Sequence, residues 1–220
     1  MIGDLSAASQ DYLKEIHKLR LEGGRATTSA IAERMGVRPP SATAMIKKLA
    51  GLGLAEHAPY RGVELTPAGE KVALEVIRHH RLLEQYLAQA LGLPLDEVHI
   101  EADRLEHVLS EELEARIDRT LGYPTHDPHG DPIPNAMLEI EEFESTRLSE
   151  LQPGDRGRFV RVSDSDPAML RYLDERGVVL GEELEVLERQ PFDGPLTVRF
   201  GDNLHVLGGT LARAMRVERF

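Results

Sequence analysis

A mainly α protein ending in a small β-barrel is predicted for this chain of 220 residues, and three observations predict it. Apolar residues recur at helical spacing through the first half, short alternating segments between Gly and Pro turns fill the last third, and a stretch rich in Pro, His, Asp and Glu (122–147) joins them. Cysteine is absent, which excludes disulfides, thiolate metal sites and cysteine nucleophiles. The opening MIGDLSAASQDYLKE carries acidic residues and no apolar leader core, and no apolar run is long enough to span a bilayer. A cytoplasmic protein without membrane contact is expected.

Each element follows from local signals. Tyr12, Leu13, Ile16, Leu19 and Leu21 mark a helix from Ser6 to Leu21, stopped by Gly23-Gly24. TTSAIAERMG supplies hydroxyl caps and a short helix that Gly36 ends, and Pro39-Pro40-Ser41 opens a second one, ATAMIKKLAGLGL. Two strands, Ala55 to Ala58 and Val63 to Leu65, joined through Pro59-Tyr60-Arg61-Gly62, complete a winged helix-turn-helix. Pro67 to about Ala90 and Leu95 to Leu121 read as two long helices separated by Gly92-Leu93-Pro94. Their leucine stripes (Leu82, Leu83, Leu87, Leu91, then Val98, Leu105, Val108, Leu109, Leu113, Ile117) exceed what one winged domain covers, so a homodimer is expected. Beyond the linker, strands at Arg158 to Val162, Glu183 to Glu188, Leu196 to Phe200 and Ala214 to Glu218 surround one helix, Pro167 to Glu175. The expected domains are 1–73, DNA-binding; 74–146, helical metal-binding and dimerisation; and 147–220, the barrel.

The net charge of -12 argues against nucleic acid until it is divided along the chain. Residues 1–81 hold 12 Lys+Arg against 9 Asp+Glu, 82–145 hold 3 against 16, and 146–220 hold 11 against 13. The nets are therefore +3, -13 and -2. Screening confines each field to about 8 Å, so the first segment alone suits DNA. In a winged helix-turn-helix, Arg38, Pro39, Pro40, Ser41, Ala42, Thr43 and Ala44 lie on or near the groove, and Lys47, Lys48 and Arg61 are candidate phosphate contacts.

The acidic middle carries the chemistry. RHHRLLEQ places His80 and Glu84 at i and i+4 on one helix face, and HIEADRLEH places His99, Asp103, Glu106 and His107 at i, i+4, i+7 and i+8 on another. Such a face is commonly just solvated. A solvated face, however, intersperses lysine, whereas 82–145 has only Arg104, Arg116 and Arg119 as bases. Carboxylates and imidazoles converging between helices form a bundle-type divalent metal site.

On these residues the chain resembles the diphtheria toxin repressor family of metal-dependent regulators, including its manganese-responsive type. The resemblance spans nearly the whole chain: IAERMGVRPPSATAMIKKL, YRGVELTPAGE, HRLLEQYL, EADRLEHVLSEELE, GDPIP, LQPGDRGRFVRVSD and LGEELEVL. It implies a metal-activated dimer that represses transcription from palindromic operator DNA in metal homeostasis, with an SH3-like C-terminal domain. The implied regulatory site is Asp11 with Asp103, Glu106 and His107; the second is His80, Glu84 and His99, extended by Asp127, His129 and one of Asp164 or Asp166. Met169 stands where the SH3-like domain would offer an amide ligand, and Lys14 where the manganese branch can place a glutamate. Iron-responsive members offer methionine and cysteine where this chain has Asp11 and Asp103, so carboxylate oxygen moves the preference toward Mn²⁺. Fe²⁺ or Zn²⁺ is the alternative physiological ion, and Zn²⁺, Co²⁺ or Ni²⁺ should bind at least as tightly in vitro by the Irving–Williams order. The competing readings are a regulator with an organic effector and, from another class, a metallohydrolase built on His80, Glu84, His99 and Glu106; the resemblance designates no catalytic base, so no enzyme is expected.

Overall fold

The structure, a computed structural model, describes residues 5–58, 62–141, 144–163, 166–192 and 194–220. The chain forms two compact units: one from the described residues of Met1–His80, Asp103–Ala115 and Pro134–Glu139, the other from those of Arg81–Ala102, Arg116–Ile133 and Ile140–Phe220. Among the described residues no helix is long and apolar enough to cross a membrane.

Unit one begins with α1 (Ala7–Leu21), whose cap Ser6 accepts the Ser9 N–H and whose Tyr12, Leu13, Ile16 and Leu19 are buried. Thr27 caps α2 (Thr28–Arg34), and Gly36, at φ 62, lets the chain turn into α3 (Pro39–Gly51), with proline in its first turn. The hairpin β1 (Ala55–Ala58) and β2 (Gly62–Leu65) is antiparallel, and Val63 N–H donates to the Ala26 carbonyl, tying the wing to the helices. Gly62 permits this approach, since a Cβ there would lie 2.7 Å from the Ala26 oxygen. Leu13, Ile16, Ile31, Leu49, Val63 and Val76 share one apolar core. Then α4 (Pro67–Leu91) runs from this unit into the next.

The helix expected over 95–121 is two helices, α5 (Leu95–Leu105) and α6 (Glu111–Thr120). The break has a local cause: the Val108 N–H bonds the Leu105 carbonyl as α5 closes, and Ser110 caps α6, its Oγ accepting the Leu113 N–H. Asp103 is thus on a helix, whereas Glu106 and His107 belong to a turn, and the expected single stripe of four ligands does not exist. The leucine stripe also divides. Leu82, Leu83, Leu87, Val98 and Ile117 are buried within the chain, whereas Leu91, Leu105, Val108 and Leu113 are exposed.

In unit two a six-stranded antiparallel sheet runs in the order β3-β8-β4-β5-β6-β7, from β3 (Thr146–Arg147), β4 (Arg156–Val162), β5 (Glu183–Arg189), β6 (Leu196–Phe200), β7 (Asn203–Leu207) and β8 (Met215–Arg219). Its core centres on Phe159 and Phe200, packed edge to face at 6.1 Å, with α7 (Pro167–Asp174) and α8 (Gly209–Ala214) contributing Leu170 and Leu211. The periodicity above omits β7 and α8. The exposed Leu204 and Val206 lie on the outward face of an edge strand, which blurs the inward–outward alternation.

Candidate metal centres and nucleic-acid interface

The first cluster lies wholly in unit one. One turn of α1 supplies Gln10, Asp11 and Lys14, α4 supplies His80, the end of α5 supplies Asp103, and the turn after it supplies Glu106 and His107. His107 Nε2 is 2.9 Å from Asp11 Oδ1 and 3.4 Å from Glu106 Oε1, and ligand atoms of Asp11, Glu106 and His107 lie within 4.8 Å of one another. The other His107 nitrogen, Nδ1, is 2.7 Å from Gln10 Oε1 and donates to it, orienting the ring. His80 Nδ1 is 2.6 Å from Glu106 Oε2 and 3.3 Å from Asp103 Oδ1, and Lys14 Nζ donates to Glu106 Oε1 at 2.7 Å and to Asp103 Oδ1 at 3.0 Å.

Burial by itself would raise the carboxyl pKa of Glu106, but the His80 hydrogen bond and the Lys14 ammonium outweigh it and hold the group below the ordinary value. Asp11 shows the opposite balance: burial pushes its pKa up despite the nearby His107 and Lys14. The turn carrying Glu106 is anchored from beneath. His79 Nδ1 donates to the Glu106 carbonyl at 3.1 Å and Nε2 to Glu114 Oε2 at 3.0 Å, while Arg78 Nε donates to Glu114 Oε1 at 2.5 Å. Donation from both ring nitrogens requires an imidazolium. Burial lowers the His79 pKa, and Glu114 with the Glu106 carbonyl more than reverses this.

The second cluster belongs to unit two. Ligand atoms of Glu84, Asp127 and His129, all buried, lie within 4.8 Å of one another, and His99 Nδ1 is 3.0 Å from Glu84 Oε1. His129 Nε2 donates to the Leu95 carbonyl at 3.2 Å, which leaves the lone pair on Nδ1. Among the described residues that atom is buried without a hydrogen-bond partner, 3.9 Å from Glu84 Oε2. Asp127 Oδ1 accepts the N–H groups of His129 and Asp131, and Arg81 Nε stands 3.8 Å from Oδ2. Burial, then the charges of Asp131 and Glu84, push the Asp127 carboxyl well above its usual range. A buried imidazole lone pair facing two carboxylates fits a divalent cation, which would satisfy the lone pair and offset the crowded negative charge.

Of the expected second set, His80 stands beside Glu106 and Asp103, and Glu84 stands with His99, Asp127 and His129. Asp166 is not in the cluster. It caps α7, its Oδ1 accepting the Ala168 N–H, as an Asp directly before a first-turn proline is suited to do. Asp164 lies outside the described residues. Sequence reasoning missed the roles of Gln10, Arg78, His79 and Glu114; the tandem His79-His80 was the available signal, since adjacent helical residues point in different directions.

Of the residues expected to meet DNA, Arg38, Pro39, Pro40, Ser41, Thr43, Ala44, Lys47 and Lys48 are exposed or half-buried on or beside α3. Ala42, expected at the groove, is instead fully buried in the core, because it shares the inward stripe with Ile46 and Leu49. Thr43 Oγ1 donates to the Pro39 carbonyl, and Lys48 Nζ donates to Ser9 Oγ on α1 at 3.3 Å. Arg61 lies outside the described residues.

Three family models match the chain in succession: an iron-dependent repressor N-terminal DNA-binding domain over residues 4–63, an iron-dependent repressor metal-binding and dimerisation domain over 66–135, and a FeoA domain over 146–219. The chain belongs to the iron-dependent repressor family. It is a metal-dependent, DNA-binding transcriptional repressor with a dimerisation domain, and not an enzyme. Among relatives of this family, the iron-dependent repressor IdeR of Mycobacterium leprae is 32% identical over 99% of this chain and 100% of its own. The diphtheria toxin repressor of Corynebacterium efficiens is 31% identical over 98% and 97%. A solved manganese-dependent transcriptional repressor in complex with manganese is 41% identical over 96% of this chain and 100% of its own, with a TM-score of 0.91.

Proposed function

We propose that this repressor is switched on by Mn²⁺ held at two sites per chain: Asp11, Glu106 and His107, flanked by His80 and Asp103, and Glu84, Asp127 and His129, flanked by His99. The observation that carries the reading is the 2.9 Å contact between Asp11, on the first helix of the DNA-binding domain, and His107, in the turn after α5. An ion shared by these residues pins α1, and through the Lys48–Ser9 bond and the common core also α3, to the metal-binding helices. In a dimer this fixes two recognition helices about 34 Å apart, the spacing of a palindromic operator. An ion binding only the competent arrangement at about 100 times its dissociation constant favours that arrangement by ~2.7 kcal/mol.

Mn²⁺ is preferred because the first cluster combines three carboxylates with imidazole and no sulfur, a harder donor set than methionine and cysteine provide. The likeness to a manganese-dependent repressor agrees with this. Operator binding places the working protein in the cytoplasm. Fluorescence anisotropy on pooled operator fragments with chelator, Mn²⁺, anaerobic Fe²⁺ and Zn²⁺ tests the proposal. Binding is expected with Mn²⁺ and not with chelator, and Asp11→Ala is expected to leave a folded dimer blind to the metal. Unchanged Mn²⁺-dependent binding by Asp11→Ala would sink the mechanism; insensitivity of the parent to chelator would favour an organic effector instead.

A further inference from the structure

The unit-one cluster contains a cation of its own. Lys14 stands one turn beyond Gln10 and Asp11 on α1, with its side chain only 5% exposed, and its Nζ donates to Glu106 Oε1 at 2.7 Å and Asp103 Oδ1 at 3.0 Å. A lysine is rarely so buried unless paired, and here the pairing is with two of the groups that face the candidate metal position. The Glu106 oxygen it holds is also the one 3.4 Å from His107 Nε2, while the other Glu106 oxygen faces His80. An ion shared by Asp11, Glu106 and His107 through that oxygen shares Glu106 Oε1 with an ammonium. The charge count points the same way. The three carboxylates Asp11, Asp103 and Glu106, less the Lys14 charge, leave the cluster with the negative charge that a single divalent ion neutralises.

We propose that the Lys14 ammonium is a resident cation of this cluster, holding its Asp103–Glu106 side, so that the cluster takes a single divalent ion on its Asp11–His107 side with an affinity that Lys14 limits. The inference rests on the metal-binding reading of this cluster. A fixed positive charge a few ångströms from the ion repels it and competes for an oxygen, so removing that charge tightens binding. Placing a carboxylate there creates room and charge for a second ion.

The test uses the full-length chain with Glu84→Ala and His129→Ala, which silence the unit-two cluster, and Mn²⁺ alone as the probe. Equilibrium dialysis with elemental analysis gives stoichiometry and Kd, and thermal unfolding of the metal-free protein gives a second readout. The parent and Lys14→Arg are expected to hold a single ion. Lys14→Met is expected to hold it roughly tenfold or more tightly and to unfold at a lower temperature without metal, because the buried Glu106 and the half-exposed Asp103 lose their partner. Lys14→Gln, which keeps an uncharged N–H donor group, carries the same expectation should Lys14→Met not fold. Lys14→Glu is expected to take up a second ion. Parent stoichiometry and Kd in the Met, Gln and Glu variants would overturn the role of Lys14 and leave the metal site standing, whereas no Mn²⁺ in any variant would overturn both.

Discussion

In unit one, Glu106 accepts from Lys14 and His80, and its carboxyl is held below the ordinary range; in unit two, Asp127 is buried beside Asp131 and Glu84 with Arg81 at 3.8 Å, and its carboxyl is driven up. The two clusters share residue types and differ in where the compensating charge comes from. The first carries an ammonium inside it. The second has a guanidinium at its edge and a buried imidazole nitrogen that faces its carboxylates without a hydrogen bond among the described residues, so an ion there would relieve an existing imbalance. The difference teaches that carboxylate and histidine content alone does not say how strongly a site demands metal, because the balance is set by the cations the fold brings alongside.

The largest expected effect breaks the unit-one balance. Glu106→Ala removes the shared partner of Lys14 and His80 and leaves the ammonium buried with Asp103 alone, so metal-free stability should fall by about 3–5 kcal/mol in denaturant titration. A loss near zero would mean that the cluster is not held together by these pairs. Next comes the backbone beneath the unit-two cluster. Gly130, at φ +86, would place a Cβ 2.0 Å from the Val160 carbonyl, so Gly130→Ala should cost about 2–3 kcal/mol and weaken Mn²⁺ binding at the neighbouring His129.

A smaller effect of opposite sign sharpens the contrast. Asp127→Asn keeps an oxygen for the His129 and Asp131 N–H groups but removes the crowded charge, so the metal-free protein should gain ~1–2 kcal/mol while losing most of its Mn²⁺-induced rise in melting temperature. Equal destabilisation by Asp127→Asn and Glu106→Ala would erase the distinction between the clusters. The smallest effect is the pH dependence of these terms. Because the folded Asp127 pKa is raised, its cost is present at neutral pH and fades as pH falls through that raised value, so the advantage of Asp127→Asn should shrink on acidification. Glu106 behaves inversely: its folded pKa is lowered, so the stability it contributes is present above the ordinary glutamate range and is lost as pH falls through the lowered value. Melting curves of metal-free wild type, Asp127→Asn and Glu106→Gln from neutral to acid pH check both slopes.

Much of the fold was legible because its signals are local. Hydroxyl caps at Ser6 and Thr27, Pro39 at a helix start and Gly36 at a helix end each act within a turn of chain, and the winged hairpin follows from two short apolar segments. The break between α5 and α6 has such a signal too, Ser110 before Glu111-Glu112, but apolar periodicity runs across it and by itself points to one continuous helix. The strand β7 was missed for a different reason: an edge strand buries little, so Leu204 and Val206 leave no clean alternation.

By itself the sequence determined which residues have metal-ligand chemistry, which segment can face DNA, and that sulfur takes no thiolate part in the metal sites, because these depend on side-chain identity and on charge summed over short stretches. Only the tertiary structure decided which candidates meet. It brought Asp127 and His129 beside Glu84, set Asp166 to capping α7, and put the Lys14 ammonium beside Asp103 and Glu106. The physical reason is that electrostatic partnership acts over a few ångströms, and contacts such as that between Lys14 and Glu106 join positions far apart in the chain, which no local pattern encodes.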